Sequence, residues 1–365
     1  MLTRRDFLKS SSLLALAPTI PAFLARTAAA RQVGTDGRIL VVVQLDGGND
    51  ALNTVVPFTD PDYLRLRPTL ARRRNEIVLL NDHLGLHSAL RPLGGLLEAG
   101  QLAVMPGVGY PNPSRSHFTG MAVWHTARLD PADHTGYGWL GRGLDPMSGS
   151  SCAVNASIPG AVRGRRSRAM AITGIEEMLL ANAAATRQAA GAARVGEDNL
   201  LAFVQRQALD GYAAADQLAA MTGGREEGRY PSTGLAQRLQ LVSRLLKANL
   251  GARVFYTVQS GYDTHAGQRF AHGNLLDEFA GAVAAFFTDL NASQLGDRVA
   301  LLAFSEFGRT VRENGSGGTD HGTAGCVFLA GPRVQGGVCG AVPSLTDLEG
   351  GEPKMTTDFR RVYAT

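Results

Sequence analysis

The chain has 365 residues, enough for one large α/β domain or two ordinary ones, and its 44% hydrophobic and 19% charged content is that of a globular protein, not a disordered one. Three of its four net positive charges fall in residues 1–30, where Arg4, Arg5, Lys9 and Arg26 face only Asp6. The remainder is close to neutral and has no basic stripe interleaved with aromatics, which argues against a nucleic-acid partner.

The first element is a targeting segment. TRRDFLK, from Thr3, is followed by the apolar run LLALAPTIPAFLA and by Ala28-Ala29-Ala30, which offers a small-residue cleavage site before Arg31. Paired arginines, a short apolar core and small residues form a twin-arginine export signal over residues 1–30. The apolar run is short and broken by Pro18 and Pro21, so no stable membrane span is expected. The expected partner is the twin-arginine export machinery, which moves folded and often metal-loaded proteins, and the expected location is the periplasm or beyond. Cys152, Cys326 and Cys339 are too few and odd in number for a disulfide framework. Buried thiols are expected, with a Cys326–Cys339 pair left open.

Beyond Arg31 the sequence reads as a single domain to residue 365. RILVVVQL (Arg38–Leu45) is a continuous apolar run, as in a parallel strand buried on both faces, and it ends in DGGND. LAVMPGV (Leu102–Val108) runs into GYPNPSRSHF, RVFYTVQ (Arg253–Gln259) into SGYDTH, and RVALLAF (Arg298–Phe304) into SEFGR; AGCVFLAG (Ala324–Gly331) is a last strand. Helical patterns lie between them: SALRPLGGLLEAG, HFTGMAVWHTA, and Gly273–Gly296, with a helical excursion around 176–250 broken near Gly223–Gly234. Strands alternating with helices predict an α/β fold with a mostly parallel central sheet sandwiched by helices. In such sheets ligands bind outside the carboxyl ends of the strands.

The candidate metal ligands are Asp46, Asp263, His265, Glu306, Asp320 and His321, a mixture of carboxylates and imidazoles suited to zinc or manganese. Asp263 and His265 flank one residue and would point to the same side of an extended segment. Each carboxylate also has a structural reading. Asp46 would cap a turn, Glu306 would pair with Arg309, and Asp320 would bond its own loop. Ser116 is the candidate nucleophile, placed where a loop enters a helix, and Arg115 would steady an anionic group. Thr54 is a weaker nucleophile candidate. His117 points either into the site or into packing; His83 and His87 are read as structural, and His125 and His134 are unassigned.

QLDGGNDALNTVVP, YPNPSRSHF, GYDTH, SEFGRT and GTDHGTAG, in this order behind the export signal, resemble the bacterial domain-of-unknown-function 1501 family over nearly all of the mature chain. That family is similar to the alkaline phosphatase/sulfatase superfamily. The resemblance implies an alkaline phosphatase-like fold and an exported metal-dependent hydrolase acting on small anionic phosphate or sulfate esters. A catalytically degenerate secreted binding protein is the alternative. The superfamily's Asp-His-Gly element matches either Asp320-His321-Gly322 or SEFG (Ser305–Gly308). The second register keeps a late histidine, His321. It implies one ion held by Asp263, His265 and His321, and an oxygen-rich site of Asp46, Glu306 and Ser116 that would take magnesium or calcium or stay empty. Asp320 is then an extra ligand or a partner of His321. The superfamily's modified-nucleophile and D-S-A motifs are absent. Relatives continue past DFRRVYAT, so a missing C-terminal piece is expected.

Overall fold

The five apolar runs all form strands, in a computed structural model that describes residues 37–365 apart from 135, 148, 175–229 and 250. The export signal and most of the expected helical excursion lie outside the described residues. β1 (Ile39–Asp46), β2 (Leu102–Gly109), β3 (Ser150–Val154), β4 (Arg168–Ile172), β5 (Val254–Ser260), β6 (Val299–Phe304), β7 (Gly325–Ala330), β8 (Gly337–Val338) and β9 (Thr357–Asp358) make one sheet. Its order is β8-β2-β7-β6-β1-β5-β3-β4, with β9 also beside β2.

β1 pairs in parallel with β5 and β6, and β5, β3 and β4 follow in the same sense. Only β7 is reversed, antiparallel to both β6 and β2. The sheet is thus mostly parallel, as expected. β3 and β4 carry no strand signal in the sequence, because SSCAV and RAMAI are short and poor in β-branched residues.

Helices cover both faces. On one lie α3 (Gly234–Lys247) and α4 (Gln268–Ala292), packed with Val41, Val43, Leu45, Leu301 and Phe328 through Leu239, Phe279, Phe286 and Leu290. On the other lie α1 (His117–Thr126), α2 (Trp139–Leu144) and α5 (Phe359–Tyr363), packed with Val42, Tyr256, Leu302 and Phe304. Trp124 of α1 stacks on Phe304 of β6 at 4.7 Å between ring centres. Buried rings of this size each contribute about 1.5–3 kcal/mol by leaving water.

Two expected helices differ in detail. SALRPLGGLLEAG is a 3-10 segment, Ser88–Leu93, followed by a short α-turn, Gly94–Glu98, because Pro92 interrupts the ladder. α4 begins five residues earlier than predicted. Gln268 in its first turn is buried, and its amide bonds Thr264, Thr319 and Asp50. No helix among the described residues is long and apolar enough to cross a membrane.

Candidate metal centre

The carboxyl ends of β1, β5 and β6 lie side by side, and each continues into a loop that the next one fixes. After β1, Gly47 and Gly48 adopt φ +117° and +75°, a region closed to most L-residues. A Cβ on Gly47 would stand 2.5 Å from the backbone nitrogen of Asp263. Tyr262 N–H donates to the Asp46 carbonyl at 3.1 Å, tying the β5 loop to β1. After β6 the chain folds back on itself: Gly308 N–H bonds Thr323 O and Gly322 N–H bonds Gly308 O, with Arg309 and His321 paired across an isolated bridge. Because β7 runs backwards, this loop leaves and re-enters the sheet at the same edge. It carries Glu306 out and His321 back in.

Three histidines converge there, and each is held from behind. His117 opens α1 with its Nδ1 2.7 Å from Glu306 Oε1. His265 has Nδ1 3.0 Å from Asp320 Oδ1, and His321 has Nδ1 2.8 Å from the Arg115 carbonyl oxygen. A carboxylate or a carbonyl can only accept, so each Nδ1 donates in these bonds, and in the neutral ring the opposite nitrogen, Nε2, then presents a lone pair. The lone pairs face inward. His265 Nε2 and His321 Nε2 are 3.0 Å apart, and each is 3.0 Å from Asp263 Oδ1. His117 Nε2 is shielded from solvent with no hydrogen-bond partner, 3.5 Å from Asp263 Oδ2. Ligand atoms of His117, Asp263 and His321 all lie within 4.8 Å of one another, a possible His/Asp metal-binding group.

Lone pairs aimed at one another across 3.0 Å repel unless a cation lies among them. His117, His321 and the Asp263 carboxylate fit a divalent ion, with His265 Nε2 beside Asp263 and His321, and imidazoles held through the opposite N–H by a carboxylate or carbonyl are usual in such sites.

Arg309 anchors the remaining corner. Its side chain is fully buried, and its donors reach Gly48 O at 2.7 Å, Thr319 O at 3.0 Å, Tyr262 O at 2.9 Å, Gly47 O, and Asp263 Oδ1 at 2.6 Å. Partial burial pushes the Asp263 carboxyl up, but the hydrogen bond and positive charge of Arg309 outweigh it and hold the group at about 2. It is a carboxylate at any ordinary pH. Phe307, buried, lies 5.0 Å between ring centres from both His117 and His321 and backs the two imidazoles.

Asp263, His265 and His321 are thus brought together. Glu306 and Asp320 stand behind histidines, and Asp320 serves His265 rather than His321. Arg309 pairs with Asp263 and not with Glu306. The buried Glu306 carboxylate is already occupied by Gly47 N–H at 3.0 Å, Ser305 Oγ at 2.9 Å and His117. Asp46 is turned aside: its Oδ1 accepts from Gln44 at 3.0 Å, and it lines a separate cavity.

Ser116 is exposed at the cap position of α1, with no side-chain capping bond, next in sequence to His117. Arg115 is half exposed and 4.0 Å from Glu352. Thr54, by contrast, is fully buried with its hydroxyl bonded to Asn49 and the Asp50 carbonyl, so it has no access to a substrate. All three cysteines are free thiols, so Cys326 and Cys339 are not bridged.

Sequence alone leaves His117 facing either the site or the packing behind it. The signal for it was its place directly after Ser116 at a helix start, which did not say which way the ring turns.

A family model described as "Protein of unknown function (DUF1501)" matches residues 38–359. Among curated proteins none matches. Solved structures similar to the chain include the C-terminal periplasmic domain of EptC from Escherichia coli in complex with zinc, at 11% identity and a TM-score of 0.39 over 81% of this chain and 73% of that one. The lipoteichoic acid synthase LtaP from Listeria monocytogenes is 12% identical, with a TM-score of 0.34 over 88% and 75%. A mutant TAB5 alkaline phosphatase with bound magnesium is 10% identical, with a TM-score of 0.33 over 82% and 93%.

Proposed function

The chain belongs to the DUF1501 family, and from that footing we propose that it is an exported, metal-dependent hydrolase of phosphate or sulfate esters, of alkaline phosphatase-like kinship. The observation that carries the metal is the convergence of three Nε2 lone pairs on the Asp263 carboxylate. Three imidazoles and one carboxylate favour zinc, or manganese, over magnesium or calcium, which prefer all-oxygen sites. When bound, such an ion supplies Lewis-acid stabilisation of a transferring phosphoryl or sulfuryl oxygen.

The chain's own residues supply the rest. Asp263, His265, His321 and His117 hold the ion, and Arg309, Glu306, Asp320 and the Arg115 carbonyl keep them in place. Ser116 Oγ attacks: its bond to phosphorus or sulfur forms as the ester oxygen leaves, and the serine proton passes through solvent to the departing alkoxide. Water then cleaves the seryl ester and restores Ser116. The Arg115 guanidinium, half exposed beside Ser116, steadies the anionic oxygens.

A second reading has one observation in its favour. The oxygen-rich site expected for a second ion has lost its partners, because Glu306 is consumed by His117 and Gly47, and Asp46 faces elsewhere. A fold kept for binding alone would show this. The test is Ser116→Ala in protein purified after native export: turnover of p-nitrophenyl phosphate and p-nitrophenyl sulfate should vanish while one equivalent of metal stays bound. A fully active variant removes Ser116 from the chemistry, and wild type that binds metal but turns over no ester supports the binding protein.

A further inference from the structure

Asp46 does not face the metal centre, yet it sits one residue from it, because Gly47 N–H donates to the Glu306 carboxylate that holds His117. The cavity it lines has a volume of about 470 Å³, within the range of small-molecule sites. A smaller cavity of about 240 Å³ adjoins it, and Arg238 and Asn155 line both.

Two opposite charges face this space without meeting. Arg238 is half-buried and donates through Nε to Thr257 Oγ1 at 3.0 Å, and no carboxylate among the described residues pairs with it. Glu278, whose negative charge acts on it, accepts from the Leu235 N–H through Oε1 at 2.8 Å. Asp46 is half-buried and is likewise unpaired by any cation among the described residues. Its orientation is set by a relay. The Tyr256 hydroxyl donates to Gln44 Oε1 at 2.6 Å, His125 Nε2 lies 3.1 Å from the same oxygen, and the Gln44 NH₂ is left to donate to Asp46. Burial pushes the His125 imidazole down to about 4, so it adds no positive charge beside Asp46 near neutrality.

These groups select among ligands. A purely anionic group would meet Asp46 and a purely cationic one Arg238; an apolar group would leave both charges and Asn155 without partners. A neutral, hydroxyl-rich group satisfies them together, since a hydroxyl can donate to Asp46 and accept from Arg238 and Asn155. A zwitterion would match the charges too, but stripping water from two full charges costs several kcal/mol more than from hydroxyls. Val258 and Pro159 provide an apolar wall against which the C–H face of a sugar ring would fit.

We propose that this cavity binds a neutral polyhydroxylated group, a glycosyl or polyol unit, as the organic part of the ester. Its role as a substrate subsite rests on the hydrolase reading above; the binding does not.

The experiment is saturation-transfer NMR on the exported full chain with methyl α-D-glucopyranoside and myo-inositol, against glycine betaine and benzyl alcohol. Either polyol should bind, at millimolar affinity, with betaine and benzyl alcohol giving no signal. Arg238→Gln and Asn155→Ala should each weaken binding by tenfold or more, while His265→Ala, in the metal centre, should leave it unchanged. Loss of the metal-centre reading would therefore not remove the signal. No binding by either polyol, tighter binding of betaine, or polyol binding indifferent to both cavity substitutions would each overturn the inference. Polyol binding without ester turnover would leave it standing and count against the hydrolase alone.

Discussion

Nδ1 of His117 lies 2.7 Å from Oε1 of Glu306, joining the start of a helix to the end of a strand 189 residues further along. Trp124, on the same helix, donates to the Glu306 carbonyl at 2.9 Å, so the carboxylate and its imidazole are locked by both side chain and backbone. Glu306→Ala should free the His117 ring and weaken metal binding about 10–100-fold, the range for losing such a supporting carboxylate. Glu306→Gln, whose amide oxygen can still accept from Nδ1, should lose less. Competition against a fluorescent chelator measures both, and equal affinity in Glu306→Ala and wild type would show that the pair is incidental.

Arg309 should matter more for folding than its sequence context suggests. Its guanidinium bonds four backbone carbonyls and one carboxylate from buried positions. Arg309→Met removes every donor and leaves those oxygens without partners, at a cost of about 3–5 kcal/mol. Arg309→Lys should recover little, because an ammonium cannot span the same fork. Urea unfolding decides it; a loss below about 1 kcal/mol would mean that the loops hold each other without the clamp.

Gly47→Ala combines two costs. The residue has φ +117°, and the new methyl would sit 2.5 Å from the Asp263 backbone nitrogen, which has no flexible end to yield. The left-handed backbone alone costs roughly 1–2 kcal/mol. The clash also pushes Asp263 out of place, so metal affinity and stability should fall together. Gly95→Ala, with open space around it and an ordinary helical backbone, is the matched control: metal affinity should stay unchanged and stability should not fall.

Acid should unfold the protein through its neutral histidines. Burial holds His125 and His272 at about 4 and His87 at about 3, against 6.5 for the free side chain. Nearby cations push the same way, Arg163 at His125 and Arg72 at the other two; Asp50 opposes the shift at His272 and His87 without reversing it. Above pH 6.5 neither state binds the proton and stability is full. Between 6.5 and about 4 only the unfolded chain does, and each group withdraws about 1.4 kcal/mol per pH unit. The urea midpoint should therefore drop steeply from pH 7 to pH 5, and His125→Gln should flatten part of that slope. An unchanged midpoint over this interval would show that these imidazoles protonate inside the fold.

Much of this was legible in the sequence because parallel strands buried on both faces are written as unbroken apolar runs. Each of the five was placed to within a residue or two, and the polar clusters after four of them fall at one edge. SSCAV and RAMAI carried no such signal, since short strands take their pairing from neighbours. Asp263, His265 and His321 could be chosen by type and spacing. The division between inner and supporting groups could not: Glu306 and Asp320 have the same chemistry as Asp263, and only the ring that each faces separates them. His117 depended on the rotation of one side chain, and the clamping by Arg309 on carbonyl positions from three loops.

The reversed strand β7 has a consequence for access. Six residues of strand span about 20 Å, so a parallel β7 would have delivered His321 to the opposite edge of the sheet. Reversal instead staples both arms of the Ser305–Ala324 segment to neighbouring strands, and the bridge between Arg309 and His321 fastens it again near its base. This side of the centre therefore has no hinged door. Moving His321 away from Asp263 means unzipping that bridge, which ties the position of this imidazole to local unfolding rather than to the swing of a loop.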